Sequence, residues 1–139
     1  MIINLQVLKF LACSLPKLKK LKLDYNQLKS IERIFDLPEL IELDLSGNQL
    51  TSIEGLPNLP KLKKLNLNDN QLISVEELSR LQKLEHLNLD NNQLISIEGL
   101  SRLQKLAKIT LRNNQLTDIT ELFCLPNLRI SIKEATLLT

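Results

Sequence analysis

Catalysis needs groups that change protonation state or attack an electrophile, and in this sequence they are few and scattered. There is one histidine, His86, and there are two cysteines, Cys13 and Cys124. His86 falls on the exposed side of a strand-like stretch, where one polar surface residue is the plain reading. Asp44 and Asp90 have no convergent nucleophile, so paired-carboxylate hydrolysis has no support. Neither G-x-x-x-x-G-K nor G-x-G-x-x-G occurs, and the three glycines, Gly47, Gly55 and Gly99, are isolated. No Cys/His cluster has the spacing of metal ligands. The expectation is a chain that is not an enzyme, with no catalytic residue, no cofactor and no metal.

What does recur at fixed spacing is leucine and asparagine. Leu18, Leu40, Leu62, Leu84 and Leu106 open five copies of a 22-residue phrase running to Asn127, each reading L-x-x-L-x-L-x-x-N-Q-L at its start. Within a copy apolar residues stand at positions 1, 4, 6, 11, 14, 17 and 20; in the third these are Leu62, Leu65, Leu67, Leu72, Val75, Leu78 and Leu81. Positions 4 and 6 alternate with polar neighbours as in a strand, whereas 14, 17 and 20 are three apart as in a helical or 3₁₀ turn. Each copy is therefore expected to be a strand, a turn and a short helical return. Position 13 holds Ser30, Ser52, Ser74, Ser96 or Asp118, expected as N-caps of the return, with capping-box spacing at Ser74–Glu77 and Asp118–Glu121. Glu32, Glu54, Glu76 and Glu98 early in the return and Lys61, Lys83 and Lys105 at its end suit the helix dipole on a solvated face.

The asparagines at position 9, Asn26, Asn48, Asn70, Asn92 and Asn114, look like an active-site series but read as structure. Where the chain leaves the strand its amides and carbonyls lose sheet partners, and a buried carboxamide can donate and accept in its own and the adjacent turn. Residues 1–17 are expected to be a helical N-terminal cap, with Leu5, Leu8, Leu11 and Leu15 on one face and Asn4 as N-cap; a truncated repeat competes, since Asn4 falls one period before Asn26. Residues 18–127 form the repeats. Residues 128–139 keep the alternation of Leu128-Arg129-Ile130-Ser131-Ile132 but lose the asparagine, as a degenerate final strand and cap.

The phrase from Leu18-x-x-Leu21-x-Leu23-x-x-Asn26-Gln27-Leu28 to Leu106-x-x-Ile109-x-Leu111-x-x-Asn114-Gln115-Leu116 resembles the leucine-rich repeat. The resemblance implies an α/β fold: a curved solenoid with a parallel sheet on its concave face and short helical or 3₁₀ turns on its convex face. The 22-residue length, the Asn-Gln-Leu step and the return Ser96-Ile97-Glu98-Gly99-Leu100 look most like the SDS22-like class, whose namesake regulates a protein phosphatase; internalin-type repeats are also similar. Copies three and four are nearly identical, as after a recent duplication or in a consensus-like design.

Function is then sought on the strand positions facing the concavity. Position 3 reads Lys20, Glu42, Lys64, His86, Lys108; position 5 reads Lys22, Asp44, Asn66, Asn88, Thr110; position 7 reads Asp24, Ser46, Asn68, Asp90, Arg112. The candidate partner-binding residues are Lys20, Lys22, Tyr25, Glu42, Asp44, Lys64, Asn66, His86, Asn88, Asp90, Lys108 and Arg112. Positions 2, 3, 5, 7 and 8 together carry seven bases (Lys19, Lys20, Lys22, Lys63, Lys64, Lys108, Arg112) and six acids (Asp24, Glu42, Asp44, Asp69, Glu85, Asp90), a near-neutral face. That predicts a protein partner bound through the concave face and no nucleic acid, which calls for one-signed charge and aromatic platforms. A structural or recognition fragment of a larger receptor, effector or bacterial surface protein is the alternative.

The formal charge of +2 on 139 residues favours no class of partner globally. Cys13 and Cys124 lie five repeats apart, roughly 24 Å at about 4.8 Å per strand, too far for a bridge. Free thiols point to a reducing compartment, cytosol or nucleus. Leu11-Ala12-Cys13 faintly resembles a lipoprotein cleavage site, but Lys9 interrupts the apolar run and no basic segment precedes it. No segment approaches the ~18 apolar residues of a membrane span. The expected state is a monomer, or weak self-association through the ends of the array.

Overall fold

The computed structural model describes residues 15–31, 37–129 and, for the backbone, 135–137. The expected N-terminal helical cap apart from residues 15–17, its Asn4 N-cap, Cys13, Glu32 and residues 130–132 of the strand expected over Leu128–Ile132 lie outside the described residues. At residues 15–17 the chain turns, with the Leu18 N–H donating to the Leu15 carbonyl at 3.1 Å.

Six strands, β1 (Lys20–Lys22), β2 (Glu42–Asp44), β3 (Lys64–Asn66), β4 (His86–Asn88), β5 (Lys108–Leu116) and β6 (Ala135–Leu137), form one sheet in chain order. All neighbours are parallel. Lys20, Glu42, Lys64, His86 and Lys108 stand side by side, so each strand is displaced from the last by one full period. The last pairing differs: β5 meets β4 through Lys108–Thr110 and β6 through Leu111 and Leu116, with a shift of register between. The regular ladder itself reaches Arg129, whose N–H donates to the Ala107 carbonyl at 3.2 Å.

The seven apolar columns converge on one core. Across the stack they are buried, as with Leu62, Leu65, Leu67, Leu72, Val75, Leu78 and Leu81 in the third copy. No single copy could cover that face alone, so burial depends on neighbours stacking in register. Leu18, Leu21 and Leu128 pack against the core only partly buried.

β1–β4 are short because the chain must turn after position 7, and in every copy that turn is made by a left-handed residue at position 8. Tyr25, Gly47, Asp69, Asn91 and Asn113 have φ of 53°, 62°, 55°, 55° and 56°. Glycine, asparagine and aspartate enter that region at least cost, so the choice of residue at four of these sites follows from the backbone.

The returns of the last three copies are 3₁₀ turns, η1 (Glu76–Arg80), η2 (Leu100–Arg102) and η3 (Thr120–Cys124), that of the second copy is a plain turn at Glu54–Gly55, and no α-helix occurs among the described residues. Gly99 at φ 92° delays η2 until Leu100, whereas η1 and η3, with glutamate at that position, run two residues longer. The expected N-caps are corrected. The residues preceding the three turns are Val75, Gly99 and Ile119, none capping through a side chain. Ser52, Ser96 and Asp118 instead accept the N–H two residues on, from Glu54 at 2.9 Å, Glu98 at 3.1 Å and Thr120 at 2.7 Å, closing a side-chain turn ahead of the return. Glu121 reaches not to its own cap but to the previous coil, accepting from Ser101 N–H at 3.1 Å.

Candidate functional site

Beneath the concave surface the asparagine column cross-links the coils. Asn70 Nδ2 donates to Leu67 O at 3.1 Å and Asn68 O at 3.3 Å in its own copy and to Leu45 O at 3.0 Å in the copy before, while its Oδ1 accepts from Leu50 N–H at 3.0 Å. Asn48, Asn92 and Asn114 make the same set, and all five asparagines are buried. These side chains hold the strands that carry the site; none lines it.

Above them, Lys20, Lys22, Glu42, Asp44, Lys64, Asn66, His86, Asn88, Asp90, Lys108 and Arg112 line one open groove of ≈ 590 Å³ running across β1–β5. Thr110 joins them. It occupies the same column as Asn66 and Asn88, and that column was the signal that could have placed it among the candidates. Tyr25 is not in the lining: it stands on the position-8 turn, its ring lying where a side chain on Gly47 would have to go.

The groove's polar groups fall into two kinds. Glu42 divides its two oxygens between neighbouring strands, Oε2 to Lys20 Nζ at 3.2 Å and Oε1 to Lys64 Nζ at 3.1 Å. Hydrogen bonds from Lys64 and then Lys20 hold its carboxyl below the usual carboxylate range. Asp90 takes Arg112 side-on, accepting from Nε and Nη2 at 3.1 Å each and from the Arg112 N–H at 2.7 Å. At the rim Glu85 pairs with Lys63 at 2.9 Å, and that hydrogen bond lowers its pKa in the same way.

The second kind ends the strands. Asp44, Asn66 and Asn88 accept the N–H two residues on, from Ser46 at 3.0 Å, Asn68 at 3.3 Å and Asp90 at 3.0 Å. Asp44 also accepts from Ser46 Oγ at 2.6 Å, and Asn88 from Thr110 Oγ1 at 2.7 Å. Listening only to column position, sequence reasoning treats these as ligand contacts; the structure gives them backbone work as well. Asn68 turns its amide to donate to Asp69 at 2.8 Å, which leaves its buried Oδ1 without a partner.

Among the described residues no three His, Cys, Asp or Glu side chains converge as a metal site, and no helix is long and apolar enough to cross a membrane.

A family model for leucine-rich repeats, built on two copies, matches residues 16–58, 38–80, 60–102 and 82–124. The chain belongs to the leucine-rich repeat family. Proteins of this family are generally interaction scaffolds for other proteins and not enzymes. Among solved structures, internalin C2 from Listeria monocytogenes is similar at 29% identity over 91% of this leucine-rich repeat chain and 62% of its own, with a TM-score of 0.58. A leucine-rich repeat protein of Leptospira interrogans matches at 27% identity over 87% of this chain and 38% of its own, TM-score 0.60. An internalin F from Listeria monocytogenes shares the fold at 24% identity over 91% and 42%, TM-score 0.61. The chain thus spans less than two thirds of the length of each. Among curated proteins none matches.

Proposed function

We propose that the chain is a non-enzymatic scaffold that binds a protein partner through the concave groove. The observation that carries this reading is the contrast between a uniform core and an irregular rim. The buried columns repeat from copy to copy, whereas position 3 changes from Lys20 to Glu42 to Lys64 to His86 to Lys108 across five aligned strands. An irregular polar groove of this kind suits selective recognition. Regulation of an enzyme in the SDS22-like manner is the finer form of this reading, and a cytosolic or nuclear location goes with the exposed free thiol of Cys124.

The test is capture of partners from lysate on immobilised chain, compared with a Lys22→Glu/Lys108→Glu variant. Both lysines are exposed groove residues outside the ion pairs of the described residues, so the variant keeps the fold. Specific partners are expected to be lost, while Glu76→Lys on the opposite face retains them. Retention by the groove variant sinks the reading. Fractionation of the tagged chain checks the compartment, and recovery as a secreted or envelope-bound species overturns it.

A second reading, a recognition segment of a larger receptor, effector or surface protein, is favoured by the chain's span of only part of the solved structures it resembles.

A further inference from the structure

We infer that the groove's occupant is an acidic, extended protein segment whose carboxylates recur every third residue; this rests on the concave-face reading above. By formal count the strand face is close to neutral. The structure separates the two signs by depth, and the groove lining itself holds five cations, Lys20, Lys22, Lys64, Lys108 and Arg112, against three carboxylates, Glu42, Asp44 and Asp90. Five of its six acids already accept within the protein: Glu42 from Lys20 and Lys64, Asp44 from Ser46, Asp69 from Asn91 and Asn68, Glu85 from Lys63, and Asp90 from Arg112. Within the groove's ion pairs the acid is the more recessed member, with Glu42 at 31% and Asp90 at 10% exposure, whereas Lys20, Lys64 and Arg112 stand at 69%, 56% and 57%. Lys22 and Lys108 line the groove with no ion pair among the described residues. What an incoming molecule meets is therefore Lys22 and Lys108 without an ion pair, together with Lys20, Lys64 and Arg112 standing over the two carboxylates they share.

The cations are discrete. Lys20, Lys64 and Lys108 come from β1, β3 and β5, alternate strands of one row, with Glu42 and His86 between them. Two strand spacings are about 9.6 Å, and one turn of a polyproline II segment, three residues, is about 9.3 Å and returns a side chain to the same face, so a segment in that extended conformation lying across the strands would present a carboxylate to each lysine at every third residue. A polyphosphate chain fits less well. Its charge is closely and evenly spaced, so it cannot step over Glu42, Asp44 and Asp90 as spaced carboxylates can, and no Phe, Tyr or Trp in the lining offers a stacking platform for bases. Charge pairing of this kind selects partners and speeds encounter more than it adds affinity, and it weakens with salt.

The probe is a fluorescent peptide with glutamate at every third residue and serine or glycine elsewhere, titrated with the purified chain and followed by anisotropy. Its comparators are the same peptide with glutamine for glutamate, one with the glutamates contiguous, and an oligothymidylate. The spaced peptide is expected to bind at least about tenfold tighter than the glutamine version, to weaken as salt rises, and to lose about tenfold or more with Lys22→Glu/Lys108→Glu. Equal binding of the glutamine peptide, equal binding by the variant, or tighter binding of the oligothymidylate overturns the inference, and a contiguous peptide that binds as well as the spaced one overturns the spacing. No peptide binding, together with loss of lysate partners by the same variant, overturns the acidic-segment inference and leaves the concave reading standing; retention of those partners by the variant removes both.

Discussion

At the scale of single residues, two positions carry opposite lessons. Asn70 makes four hydrogen bonds to the backbone of two coils, at 3.0, 3.0, 3.1 and 3.3 Å, from a buried site in the middle of the stack. Asn70→Ala strands the buried Leu50 N–H, while the Leu45 carbonyl keeps only the bond from Asn48 Nδ2 at 2.9 Å, a loss of about 1–3 kcal/mol. Chemical denaturation checks it, with exposed Gln71→Ala as the control expected to change little. Tyr25 is the reverse case, a bulky residue at φ 53° where three other copies use asparagine or aspartate and one uses glycine. A left-handed non-glycine residue costs roughly 1–2 kcal/mol, less for asparagine. The contact of the ring with Gly47 returns part of that, so Tyr25→Asn is expected to raise stability by about 0.5–1 kcal/mol. A measured loss would mean the ring contact outweighs the backbone strain.

At the scale of elements, Glu42 joins β1, β2 and β3 by gripping Lys20 and Lys64 from either side. Its carboxyl is lowered from an ordinary 4.5 in the folded chain, as are those of Glu39 beside Lys61 and Glu85 beside Lys63, and Asp118 under the Thr120 N–H is lowered from an ordinary 3.8. A depressed folded pKa gives stability that is complete above the unfolded value and disappears as pH falls through the folded one. The urea midpoint should therefore begin to fall near pH 4.5 and continue below it, and Glu42→Gln should make the fall shallower. A fall of unchanged steepness would show that the triad is too well solvated to matter. The strand columns, the buried apolar set and the parallel order were legible from the 22-residue period because each follows from side-chain alternation and shared burial. The left-handed column was written in Gly47, Asp69, Asn91 and Asn113 but masked by Tyr25, which made it look like part of a binding surface. The side-chain turns at Ser52, Ser96 and Asp118 were read as caps because both use the same residue types one position apart. Charge depth was not legible at all: which carboxylates are engaged depends on partners one period away, not on their count.

At the scale of the whole molecule, the fixed displacement between strands makes length a free variable. Deleting residues 73–94 removes one complete period and joins Leu72 to Ile95 with every column still aligned. That shortened chain should fold, with a smaller urea m-value because less surface is exposed on unfolding. Deleting residues 73–83, half a period, sets core columns against solvent columns and should leave the chain unfolded. Circular dichroism and denaturation of the two chains distinguish these outcomes; failure of both would mean that the coils are not interchangeable.

The asparagine cross-links and the ladder bonds, such as Leu45 N–H to Asn66 O at 2.8 Å and Leu67 N–H to Asn88 O at 2.9 Å, all point along the stacking direction. A force applied at the two ends of the stack is consequently carried in series by bonds that open one at a time, not in parallel by a sheared sheet. The molecule is mechanically a zip fastener: each coil that peels away releases roughly 75 Å of chain at about 3.4 Å per residue, and the coils behind it keep their registry and close again when the load is removed.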